Sequence, residues 1–247
     1  MPNALTRKYN TKPFSMSSNK SAITIAITIA AVLFVCVILV VPSLANQLRR
    51  RTRTGTPVLW GISASKDSLH LGHHYSLHKV REHPTTTEVI IYIEDRTGGM
   101  DPFGSPGKIT KQDIAEQRRN VPRLMKVIRR AFPDHDVTFV RQSQFPESPA
   151  ESDYIARCSD PNYSCEAHYP QMDADATLRA MEWLGVRDFK YVCGTDQTRP
   201  TRAMEKEAAR RNMTVTVDIH PLIKDPETGE KMGKRNHNAV WVPNASF

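Results

Sequence analysis

Two histidines around one glycine, His70-Leu71-Gly72-His73, and two lysines around another, Lys231-Met232-Gly233-Lys234, are the residues here whose types and spacing suit phosphate chemistry. The first set follows Gly61-Ile62-Ser63-Ala64-Ser65, where a strand gives way to a helix. Gly61 lets a ligand approach the backbone closely, and the amino end of a helix near Leu69 favours an anion. Imidazoles placed there can donate to phosphate oxygens as charge develops during displacement of pyrophosphate. The lysines sit beyond the last expected strand, where ammonium groups on a loop can neutralise a leaving polyphosphate. Between the two sets lies Gly194-Thr195-Asp196-Gln197, after the apolar run Phe189 to Val192, at a strand end where a ribose could be held. Each set alone has a plain structural explanation. A His-rich helix would account for the first, since His74, His78 and His83 follow, and a solvated charge run would account for the second.

The elements that must position these residues read as alternating strands and helices. Strands are expected at Val58 to Gly61, Glu88 to Glu94, Asp136 to Arg141, Lys190 to Cys193 and Thr214 to Ile219. Helices are expected at Leu69 to Arg81, Lys111 to Phe132, Asp173 to Leu184 and Arg199 to Asn212, with Phe145 to Tyr169 read as a loop. This alternation predicts an α/β fold: a parallel sheet with helices on both faces and ligands beyond the carboxyl ends of the strands.

The chain has 247 residues, enough for one core of reasonable size. Its net charge of +8 favours polyanions or an anionic membrane face. The four cysteines lack zinc-ligand spacing, so no metal site is expected; Cys158 and Cys165 could pair in an oxidising compartment. Residues 22–41 carry no charge and are long enough for a membrane-spanning helix. The expected organisation is therefore a basic segment at 1–21, a transmembrane helix at 22–41, a basic juxtamembrane linker at 42–56 and a catalytic core at 57–247. The Arg49–Arg53 cluster argues for a single-pass protein with a cytosolic core. A cleaved signal peptide, a mitochondrial inner-membrane location and a luminal orientation stay open, the last through sequons at Asn19, Asn162, Asn212 and Asn244.

Taken in order along the chain, these segments resemble class I aminoacyl-tRNA synthetases of the tyrosyl/tryptophanyl branch. Gly61 to His73 is similar to that family's G-x-D-P-T-A-D-S-L-H-I-G-H, with Ser63 for Asp and Ala64 for Pro. Lys231 to Arg235 is similar to K-M-S-K-S, with Gly233 and Arg235 in place of the serines. Asp101 to Lys108 resembles the family's G-D-P-S-G-K loop, and Asn120 falls where it has an Asn. Tyr169-Pro170-Gln171-Met172-Asp173 resembles Tyr-Pro-x-x-Gln.

The resemblance implies a Rossmann-like (HUP-type) core that binds ATP with its Mg²⁺ and forms an aminoacyl-adenylate. His70, His73, Lys231 and Lys234 would then be catalytic. Gly61, Ser65, Gly72, Gly194, Asp196 and Gln197 would hold the nucleotide, and Leu59, Ser63, Tyr169 and Asp173 the amino acid. Leu59 and Ala176 stand where the tyrosyl enzymes hydrogen-bond the phenol, so tyrosine itself is not the expected substrate. Partners would be an amino acid, the acceptor end of tRNA, the membrane and a second copy in a homodimer. About a dozen residues follow Arg235, so no anticodon-binding domain is expected there. Three other readings compete. One is a tRNA-dependent cyclodipeptide synthase with Ser63 as nucleophile; another is a catalytically inactive RNA-binding or scaffold protein. The third is a glycosyltransferase with an Asp173-Ala174-Asp175 metal site.

Overall fold

The structure is a computed structural model that describes residues 55–232 except 66–67, 99, 101–110, 159 and 161, and no side chain at 111–113. The apolar run 22–41, the Asp101–Lys108 loop and Lys234 therefore lie outside the described residues. Among those described, no helix is long and apolar enough to cross a membrane.

Five strands form one parallel sheet: β1 (Val58–Ser63), β2 (Val89–Glu94), β3 (Val137–Arg141), β4 (Asp188–Gly194) and β5 (Thr214–His220). Their order is β3-β2-β1-β4-β5. The chain winds outward in both directions from β1, so the switch point lies between β1 and β4, where ligands bind in folds of this kind.

Period-two alternation divides the strand side chains between two cores. Val58, Trp60 and Ile62 of β1, with Val89, Ile91 and Ile93 of β2, pack beneath α1 (Leu71–Arg81) and α2 (Lys111–Ala131). Leu59, Ile90, Tyr92 and Tyr191 face the other way, toward α4 (Cys165–Trp183) and α5 (Thr198–Arg210). Strands buried on both faces are expected in a parallel sheet covered by helices, and the apolar run of β2 reads that way.

The segment expected to be a loop is largely helical. Ser148 opens α3 (Pro149–Arg157): its hydroxyl accepts from the Glu151 N–H at 3.0 Å, with Pro149 in the first turn. The sequence Ser148-Pro149-Ala150-Glu151 is itself a capping box, a signal hidden by the surrounding prolines and polar residues. α4 begins at Cys165, eight residues before the expected Asp173. It is capped by Ser164 and runs through Pro170, which lies within its early turns.

Candidate active site

The carboxyl ends of β1, β2 and β4, the amino end of α1 and the turn after β5 enclose a cleft of about 490 Å³. Gly61, Ser63, Ser65, His70, Gly72 and His73 line it from the first segment, Gly194 from the end of β4, and Asp196 and Gln197 from the turn that follows. Tyr169 enters from α4 and Lys231 from the far end of the described chain. Gly61 and Lys231, 170 positions apart in sequence, thus meet at the switch point.

His70 is the N-cap residue of α1. Its backbone N–H donates to His73 Nδ1 at 3.3 Å, so a neutral His73 ring carries its proton on Nε2. The two imidazoles stack with centroids 3.7 Å apart. Gly72 makes room for this, because a Cβ there would stand 3.0 Å from His70 Cε1.

Asp196 follows β4 in a short 3-10 turn, Thr195–Gln197. A Cβ on Gly194 would come within 2.6 Å of Asp196 Oδ1 and 2.7 Å of Leu222 Cδ2, so only glycine lets the carboxylate lie over the strand end. Lys231 forms an ion pair with that carboxylate. A tight turn presents the lysine: residues 224 and 231 pair as an antiparallel bridge, and the Asp225 N–H donates to Glu230 O at 2.8 Å. Gly229 allows the reversal with φ +70°.

Ser63 has a different occupation. Its hydroxyl donates to the Gly98 carbonyl at 2.6 Å and accepts from the Ser65 N–H at 3.2 Å. It ties the end of β1 to the turn after β2. A Cβ on Gly98 would fall 2.6 Å from Ser63 Oγ and 2.5 Å from Glu94 O, so glycine is required for this closure. The turn after β2 is fixed from behind. Arg96 makes a buried two-pronged bond to Glu151 at 2.7 and 3.0 Å, and Gln142 Oε1 accepts from the N–H groups of Arg96 and Thr97.

Several lining residues went unread in the sequence. Tyr191 sits in the apolar β4, yet its hydroxyl reaches 3.4 Å from where a Gly61 Cβ would be. Burial holds its phenol well above the usual range, and the carboxylates of Asp173, Glu94 and Asp196 push in the same direction. Tyr169 donates to Glu94 Oε2 at 3.3 Å, so the cleft floor is acidic and phenolic. On another wall, His220 Nδ1 donates to the Pro221 carbonyl at 3.0 Å, and in the neutral ring Nε2 accepts from the Ser76 hydroxyl at 2.9 Å. Nothing local in the sequence brings Ser76 and His220 together; the order of the strands does.

Three expectations need correction. Leu59 is fully buried among the side chains under α4 and α5 and does not line the cleft. It lies two residues upstream of Gly61, about 7 Å deeper along the strand. Asp173 is buried one turn beyond Tyr169 and acts on the cleft through its field rather than from its wall. Asp175 pairs with Arg211, which removes it from a metal site with Asp173. Among the described residues no cluster of three or more His, Cys, Asp or Glu could hold a metal ion.

The sheet order places the chain among the doubly wound α/β folds, and solved structures narrow that fold. Tyrosyl-tRNA synthetase from Archaeoglobus fulgidus, solved with L-tyrosine, matches with a TM-score of 0.56 at 17% identity, over 84% of this chain and 67% of that one. Tryptophanyl-tRNA synthetase from Aeropyrum pernix matches with a TM-score of 0.54 at 16% identity, over 77% of this chain and 55% of that one. A product-bound parasite tRNA synthetase matches with a TM-score of 0.53 at 12% identity, over 78% and 56%. The chain thus spans little more than half the length of the latter two. Its fold is that of the tyrosyl- and tryptophanyl-tRNA synthetase core. No protein-family model and no curated protein matches the sequence.

Proposed function

We propose that this chain activates an amino acid with ATP, forming an aminoacyl-adenylate and releasing pyrophosphate, and that residues 22–41 anchor it in a membrane. The observation that carries the reading is the convergence of His70, His73, Asp196 and Lys231 on one cleft at the switch point of a synthetase-type sheet. His73 Nε2–H and the His70 ring would donate to phosphate oxygens as the α-phosphate is attacked. Lys231 would leave Asp196 and neutralise the departing pyrophosphate, freeing Asp196 and Gln197 to hold the ribose. Gly61 and Gly194 supply close backbone approach. The acidic floor beneath Tyr169 suits the substrate ammonium, and Mg²⁺ would arrive with ATP, ligated by phosphate oxygens and water. The acceptor would be the end of a tRNA or another nucleophile.

In the competing cyclodipeptide-synthase reading, Ser63 would attack an aminoacyl ester. Its hydroxyl instead donates to a carbonyl, which cannot take up a proton as a general base does. Two substitutions separate these readings. Ser63→Ala should leave adenylate formation within about tenfold of the parent, the effect of one modest hydrogen bond. Lys231→Ala should damage it severely. A covalent aminoacyl-protein seen by intact mass after incubation with charged tRNA, lost in Ser63→Ala, would favour the nucleophile instead.

A further inference from the structure

A small satellite core beneath the cleft carries two thiols. Cys158 caps the carboxyl end of α3 and Cys165 opens α4; both pack against Met100, Tyr154, Tyr163 and Tyr169. The Cys165 thiol donates to the Cys158 carbonyl at 3.7 Å. Both thiols are free and partly accessible. Beside them the Asp160 N–H donates to Arg157 O at 2.8 Å and the Tyr163 N–H to Asp160 O at 3.0 Å. The Cys165 sulfur thus already lies against the residue whose sulfur it would bond. The third described cysteine, Cys193, is buried in a different core.

We propose that Cys158 and Cys165 form a dithiol modification site, which exchanges with small disulfides of the glutathione class to give an intramolecular disulfide joining α3 to α4. The Cys158 thiolate attacks one sulfur of the small disulfide, forming a mixed disulfide and expelling one small thiolate. Cys165 then loses its proton to solvent and attacks the Cys158 sulfur, and the second small thiolate leaves. Two protein thiols are oxidised, one small disulfide is reduced, and the two protons end on the two small thiols. Burial, and then the neighbouring Cys158, push the Cys165 thiol up to about 11, which makes it the resolving partner and closure the slow step. Tyr169 follows Cys165 by one helical turn and lines the cleft, so the bond forms directly behind the candidate substrate site. The inference stands whether or not the cleft activates amino acids.

The test is to equilibrate the full chain, in detergent, with a series of reduced and oxidised glutathione ratios, quench with acid, alkylate and digest with trypsin. The peptide from Cys158 to Arg179 holds both cysteines, with no Lys or Arg between them. It should appear unalkylated and lighter by two hydrogens. Its rate of closure should rise about tenfold per pH unit from about pH 7 to 9, following the Cys165 thiolate fraction. The oxidised chain should melt several degrees higher, as a short closed loop predicts. Cys165→Ser should trap a glutathione adduct on Cys158. A fully alkylated peptide after oxidation, or a stable glutathione adduct on the unmodified sequence, would overturn the proposal. So would equal adduct formation on Cys165 in Cys158→Ser.

Discussion

At the cleft rim, His70, His73 and Lys231 all lie where an anion would be met by donors. Removing one oriented donor from a developing charge slows a reaction by about 10²–10³-fold. His73→Ala and Lys231→Ala should each show that loss in adenylate formation, with far smaller changes in substrate affinity, as measured by steady-state pyrophosphate exchange. Gly194→Ala makes a second prediction. The added Cβ collides with Asp196 and Leu222, so nucleotide affinity should drop at least tenfold while the melting temperature moves little. If isothermal titration finds unchanged ATP binding in Gly194→Ala, Asp196 does not hold the ribose. That these residues share one cleft is legible in sequence only through their types, which suit phosphate chemistry. Ser63 was legible as a site residue but not in its role, since the Gly98 carbonyl that occupies it lies 35 positions away. Leu59 was misread because strand alternation fixes the face of a residue but not its depth.

The element that most depends on others is the turn after β2. It is clamped by the Arg96–Glu151 pair and Gln142, and it holds Gly98 against Ser63. Glu151 comes from α3, whose residues read as a loop in sequence, so the rear of the site has no obvious signal there. Polar residues and three prolines between Phe145 and Tyr169 resemble a loop unless Ser148 to Glu151 is recognised as a cap. Glu151→Ala strands a buried guanidinium and should destabilise the domain by about 3–5 kcal/mol, measurable by urea denaturation. A loss below about 1 kcal/mol, the worth of an exposed pair, would mean that water reaches Arg96. The central strand β2, by contrast, is legible to within one residue of its observed start, because a parallel strand covered on both faces reads as a continuous apolar run.

For the molecule as a whole, two histidines away from the cleft set a pH dependence. His74 is held below the usual imidazole range by burial, and His83 by burial and then by Lys190. Their folded-state values lie below the unfolded value of about 6.5, so the unfolded chain takes up these protons first. Stability is therefore full above that value and falls as pH drops through it. The melting temperature should decline between about pH 7.5 and 6, and His74→Gln with His83→Gln should flatten the decline. A profile that rises on acidification would contradict the sign. The domain boundary has its own check: without residues 1–46 the chain should remain soluble and folded, since the first strand begins at Val58.

Amino-acid activation in this cleft is tested by ATP–pyrophosphate exchange by the full chain, with each common amino acid supplied in turn. Exchange should depend on one amino acid or a narrow set, with tyrosine not the best substrate, and should fall about 10²–10³-fold in His73→Ala. Exchange with none of them, or wild-type exchange in His73→Ala, would contradict activation in this cleft.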